Sequence, residues 1–138
     1  MAVNNIIKRI QNIMRQDAGI NGDAQRIEQM TWMFFLKVYD TQEETWEYKD
    51  ENYKSIIPED LRWRKWAVDE KDGEALTGEA LLSFVNEKLF PTLKNLPIDA
   101  NTPRAKSIVL ETFADLNQYM KNGTLLRQVV NIVNEIEF

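Results

Sequence analysis

Leu61-Arg62-Trp63-Arg64-Lys65-Trp66 is where this chain concentrates groups able to grip a polyanion, with three cations and two indoles in five consecutive residues. Arg62, Arg64 and Lys65 can neutralise phosphates, and Trp63 can stack on an unpaired base. A local reading competes with this one: the tryptophans anchor the chain while the cations answer Glu59, Asp60, Asp69 and Glu70. Lys8, Arg9 and Arg15 form a second basic group, whose ordinary reading is the solvated side of a helix. A third candidate is apolar. Met30 to Tyr39 reads Met-Thr-Trp-Met-Phe-Phe-Leu-Lys-Val-Tyr, and Trp32, Met33 and Phe35 are candidate partner contacts if they are not simply packed core.

Other chemistry is excluded by residue type. The chain has no histidine, the commonest general base and zinc ligand, and no cysteine. Its serines, Ser55, Ser83 and Ser107, therefore lack the usual triad partner. Its five glycines form no phosphate-cradling pattern, and no His, Asp or Glu pair has metal-ligand spacing on one helix. Glu43-Glu44 and Asp50-Glu51 read as a solvated, charged loop. A small catalyst built only from Asp, Glu, Lys and Tyr, for instance an acid/base catalyst using carboxylates, is the remaining enzymatic reading, and a tight small-molecule ligand would be needed to support it.

The elements that must position these residues follow from apolar spacing. The length, 138 residues with 43% apolar and 28% charged side chains, suits one domain with its own core. Val3, Ile6, Ile7, Ile10, Ile13 and Met14 predict a first helix to about Asp17, broken by the glycines at 19 and 22. Asp23 is a candidate N-cap for a second helix ending near Asp40. Because Thr31 and Lys37 alone interrupt its apolar stretch, that helix is expected to be wrapped by others. It is too short for a bilayer, which takes roughly 20 apolar residues, so no membrane role is expected. Thr41 to Gly78 reads as a charged connection pinned by Trp46, Tyr48, Tyr53, Trp63 and Trp66. Within it Pro58 opens a helical turn, β pairing is allowed only near Lys54–Ile57, and Asp69–Glu74 is the most mobile piece.

A third long helix starts near Gly78, meets Pro91 and stops before Pro97. Thr102-Pro103 starts a fourth, with Val109, Phe113, Leu116 and Met120 on its face and Asn122-Gly123 at its end. Leu126, Val129, Val130, Val133 and Ile136 mark the last, with Thr124 as a candidate cap. The fold class is therefore all-α, a helical bundle of about five helices in a single domain over residues 1–138. Net charge is −5, with twelve acidic and six basic residues between 40 and 74. That balance argues against a free-standing nucleic-acid binder. The N-terminus lacks a signal-peptide pattern, so a cytoplasmic protein is expected.

Several segments together resemble the N-terminal helical domain of the modification (M) subunit of type I restriction-modification systems, which are N6-adenine DNA methyltransferases. Met30-Thr-Trp-Met-Phe-Phe-Leu-Lys-Val-Tyr-Asp40 resembles the family's Leu-Thr-Trp-Leu-x-Phe-Leu-Lys-x-x-Asp. Trp63-Arg-Lys-Trp-Ala67, Leu82-Ser-Phe-Val-Asn-x-x-Leu-Phe-Pro91 and the ending from Gly123 to Phe138 follow in the family's order. The resemblance implies a parent protein that uses S-adenosylmethionine, works with a specificity (S) subunit, a second M subunit and a restriction (R) subunit, and acts on double-stranded DNA. It also implies that this domain helps the M subunits close around DNA. The family's glycine-containing cofactor motif and its Asn/Asp-Pro-Pro-Tyr/Phe motif, which holds a flipped adenine, are not in this chain. Pro58, Pro91, Pro97 and Pro103 are isolated, and none follows Asn or Asp. No catalytic, cofactor-binding or metal residue carries over, and this chain alone is not expected to be an enzyme. The cofactor is expected in a catalytic domain beyond it. The alternative is a free-standing helical protein-protein interaction or regulatory module.

Overall fold

The structure, a computed structural model, describes residues 3–68 and 75–137. Its helices are α1 (Val3–Met14), α2 (Asp23–Lys49), α3 (Trp63–Trp66), α4 (Gly78–Ser83), α5 (Phe90–Lys94), α6 (Arg104–Ala114) and α7 (Gly123–Asn134). Among the described residues there is no strand, and residues 54–57 form a loop in which the Ile57 amide donates to Ser55 Oγ at 3.0 Å. The expected all-α bundle is what forms. The expectation for Asp69–Glu74 lies outside the described residues.

The helix enclosed on most sides is α7 rather than α2. Leu126, Arg127, Val129, Val130, Ile132 and Val133 are all buried, and α7 packs against α4, α1 and α2. α1 lays Ile6, Ile10 and Met14 against it. α2 buries Met30, Trp32, Met33, Leu36 and Tyr39 but leaves Ile27, Thr31 and Val38 exposed. An apolar sequence on all sides thus did not produce a helix covered on all sides.

Two helix limits differ from the sequence expectation. α2 runs nine residues beyond Asp40, because Thr41 to Lys49 has neither Gly nor Pro and places Glu43 and Trp46 on the side already buried by Tyr39. At its start Gly22, with φ of 89°, takes the cap position, and Asp23 is the first helical residue. α6 ends at Ala114, eight residues before Asn122, so Leu116 and Met120 pack from a loop. That loop's amides are served from elsewhere. Glu28 Oε2 accepts from Asn117 N at 2.7 Å, and the buried Gln29 accepts from Tyr119 N at 3.0 Å. Asn122, not Thr124, caps α7 by accepting from Leu125 N at 3.0 Å.

Between α4 and α5 the chain keeps winding, but Phe84–Leu89 forms a π turn in which Phe90 N–H reaches back to Val85 O. Pro91 explains the wider winding: it has no N–H to offer the carbonyl four residues earlier, and a wider turn absorbs the mismatch. α4 and α7 meet backbone to backbone at their starts. A Cβ on Gly123 would lie 1.8 Å from Gly78 O. Gly123→Ala is expected to force the two helices apart and cost about 3 kcal/mol, read as an earlier urea midpoint.

Candidate functional site

α3 and the 3-10 turn before it (Glu59–Leu61) carry the basic and aromatic cluster, and the fold turns most of it inward. α2 supplies the reason. Asp40, Glu43 and Glu47 lie at i, i+3 and i+7, one side of a helix, and that side faces α3. Arg62 is 5% exposed and sits among four carboxylates: Glu47 Oε1 at 3.0 Å, Glu59 Oε2 at 3.2 Å, Glu43 Oε1 at 3.5 Å and Asp40 Oδ1 at 4.0 Å. Its contact with the fully buried Glu43 is an ion pair without hydrogen-bond alignment. Glu43 is held from its other oxygen by the Tyr53 hydroxyl, which donates at 2.6 Å. Arg64 pairs with Asp40 at 2.9 Å and Glu47 at 2.9 Å.

Trp63 is equally committed. Its Nε1–H donates to Asn134 Oδ1 at 2.8 Å, and its ring meets Trp66 at 5.2 Å. Asn134 in turn donates to Ala67 O at 2.9 Å. The buried Arg127 donates to the carbonyls of Trp66, Ala67 and Leu76, tying α7 to α3 and to the chain just before α4. Arg62 and Trp63 therefore present no face to a phosphate or a base, which corrects their reading as an open basic surface. Lys65 is the exposed member of the four, half-exposed and 3.5 Å from Glu59. Asp60 answers Lys88 rather than the cluster.

The apolar candidates are core. Trp32 and Met33 have no exposed surface, and Phe35 is half-buried between Tyr39 at 5.7 Å and Phe113 at 6.0 Å. Trp32 packs on Phe90 and Trp66, so the connection is pinned by rings as expected. Tyr48 is the exception, 93% exposed on α2.

The cluster's electrostatics give a pH dependence. Hydrogen bonds from Arg62 hold the Glu47 and Glu59 carboxyls below the ordinary carboxylate value of 4.5. Carboxylates depressed in this way stabilise the fold above that value, and the contribution disappears as pH falls through their lowered values. Burial, then Glu43, pushes Tyr39 up to about 12, and burial with the Glu43 hydrogen bond raises Tyr53 as well. A raised tyrosine stabilises the fold below its ordinary value of 10, and that contribution is lost as pH climbs toward 12. The thermal midpoint is expected to be level from about pH 5 to 9 and to fall on both sides, with Tyr53→Phe weakening the alkaline decline.

Little else in the molecule is built for small-molecule chemistry. A pocket of about 260 Å³ is lined by Asn86, Phe90, Pro91, Lys94, Asn117 and Gln118. It is smaller than typical ligand sites of roughly 300–1,000 Å³. Among the described residues no cluster of three metal-ligating side chains occurs. No described helix is long and apolar enough to cross a membrane.

A model of the HsdM N-terminal domain matches residues 3–133. The chain belongs to that family. Over its whole length it is 54% identical to the type I restriction enzyme EcoEI methylase subunit of Escherichia coli, of which it spans 28%. A crystal structure described as a type I restriction enzyme modification subunit from Vibrio vulnificus YJ016 superposes with a TM-score of 0.82 at 32% identity. It covers 98% of this chain and 30% of its own. A chain from a structure concerned with complex assembly and conformational transition of the type I R-M system gives 0.81 at 33% identity, covering 99% and 26%. This HsdM N-terminal domain thus spans little more than a quarter of each relative. Sequence reasoning found the family segments but missed what holds the domain together. Lys37, Asp17, Arg127 and Asn134 all act through long-range contacts with backbone carbonyls or amides, and residue type gave no signal for them.

Proposed function

We propose that this HsdM N-terminal domain is a non-catalytic part of a type I restriction-modification methylase subunit. It holds the subunits of the complex together around double-stranded DNA while a separate catalytic domain transfers a methyl group from S-adenosylmethionine to adenine N6. The family match over residues 3–133, together with 54% identity to a methylase subunit, carries this reading. The buried ion network around Arg62 suits a rigid support. The partners in this reading are the S subunit, a second M subunit and the R subunit, and its location is the cytoplasm.

Contact with DNA falls to the exposed cations. Lys65 is the accessible one of the cluster, and Lys8 and Arg15 lie on the outer side of α1. Lys65→Ala in the full complex is expected to lower the salt slope of DNA binding by about 1 without unfolding the domain. An unchanged slope removes Lys65 from the interface. The reading as a whole is tested by methyl transfer from radiolabelled S-adenosylmethionine to DNA. A complex whose M subunits lack this domain is expected to lose activity, and full activity without it would overturn the proposal.

A further inference from the structure

Among the described residues, α2 carries a line of exposed side chains on either side of the half-buried Phe34. Ile27, Thr31, Val38, Thr41, Thr45 and Tyr48 recur at steps of three, four and seven residues, which places them along one line of the helix. Ile27 is 57% exposed, Val38 44% and Tyr48 93%, and the three threonines are exposed as well. The line is about 32 Å long at 1.5 Å per residue. Between Ile27 and Tyr48 the charged side chains of α2 leave from other sides of the helix, and the exposed Asp23 and Lys49 continue the line at its two ends. In a chain with 28% charged residues, a solvated helix side of this length is expected to carry several charges. This one offers methyl groups, hydroxyls and a phenol ring instead. Between those two ends it has no cation for DNA and no charge to pair with a charged partner.

The end of the domain lies beside this line. Lys37, next to Val38, donates from Nζ to the carbonyls of Val133 and Asn134, at 2.9 Å each, and to that of Ile136. The last turn of α7 and the residues after it are thereby fastened to α2 at the flank of the uncharged line. The relatives this chain matches are three to four times its length, and a polypeptide continuing past Glu137 would leave the domain at this flank.

We propose that the uncharged line on α2 is the seat for the polypeptide that follows this domain in the full-length methylase subunit, which packs an apolar, uncharged face against Ile27, Val38 and Tyr48. This rests on the reading above that the chain is the N-terminal part of such a subunit. Hydroxyl-radical footprinting of the full-length subunit, purified without other subunits, tests it with no substitution needed. Tyr48 is expected to be labelled at least roughly ten-fold more slowly than in the same subunit unfolded in guanidinium. Labelling within about two-fold of the unfolded rate overturns the proposal. So does protection that appears only as subunit concentration rises, which would make the occupant a second copy, or only when another subunit is added. As a second measurement, the paired change Ile27→Asp and Val38→Asp is expected to leave the melting temperature of the 138-residue chain within about 2 °C. In the full-length subunit the same pair is expected to speed proteolysis just beyond residue 138 by roughly ten-fold, and an unchanged cleavage rate overturns the proposal. A subunit that methylates DNA but leaves Tyr48 exposed refutes the seat alone. A complex that methylates DNA fully when its M subunits lack this domain refutes the functional reading instead.

Discussion

Arg62→Ala is expected to lower the stability of the domain by about 3–5 kcal/mol, the usual result of stripping one partner from a buried ion cluster. The arginine is 5% exposed and compensates Glu43, which has no exposed surface, and Asp40, which is nearly buried. Without it the carboxylates face one another with only Arg64 and the Tyr53 hydroxyl for support. For a domain of this size the melting temperature is expected to fall by about 10 °C or more. The denaturant midpoint should move with an unchanged slope. The double variant Arg62→Met with Glu43→Gln should recover part of the loss, since both the cation and its deepest charge are then removed. A change below about 1 kcal/mol for Arg62→Ala would show the cluster to be solvated rather than structural. Any loss of DNA binding by a complex carrying this variant would follow from unfolding, which is why Lys65 is the informative position for an interface.

Asp17→Ala is expected to cost about 2–4 kcal/mol, measured by urea denaturation. Asp17 is 3% exposed and accepts from three backbone amides at once: Gly19 N at 2.8 Å, Lys121 N at 2.9 Å and Asn122 N at 2.9 Å. These amides belong to the loop after α1 and to the entry of α7, so one carboxylate joins segments about a hundred residues apart. Removing it leaves donors without acceptors where the two backbones nearly touch, since a Cβ on Gly19 would lie 2.0 Å from Tyr119 O. Asp17→Asn keeps one acceptor oxygen and should lose roughly half as much. Equal losses for the two variants would mean that charge, not acceptor count, governs the clamp.

Helix identity was legible where apolar spacing was regular. Ile6, Ile10 and Met14 on α1, and Leu126 through Val133 on α7, occupy the positions their periods predict. The two boundary errors have separate physical origins. α2 continues past Asp40 because its acids are not solvated: they form the wall of a cage whose guanidinium lies in a later segment, a partner no local window contains. The length of α2 and the nature of the Arg62 cluster were therefore one misreading, since a helix ending at Asp40 would have left Glu43 and Glu47 on a loop and the cations free. α6 ends early because Glu28 and Gln29 on α2 offer the following amides better partners than another helical turn, again invisible to periodicity. The family resemblance was legible because it lay in ordered segments of core sequence. The roles of Trp32, Met33 and Trp63 were not, because packing decides which apolar side faces inward.

The segment from Asp115 to Asn122 draws its backbone partners from Glu28, Gln29 and Asp17, which are 89 to 105 positions away along the chain. Those contacts require distant groups to arrive, and closing so long a loop delays any rewarding contact. The segment is therefore expected to form after the rate-limiting step. Asp17→Ala is expected to hasten the escape from the native state while leaving the rate of reaching it almost unaltered, as read from the two arms of a stopped-flow denaturant series.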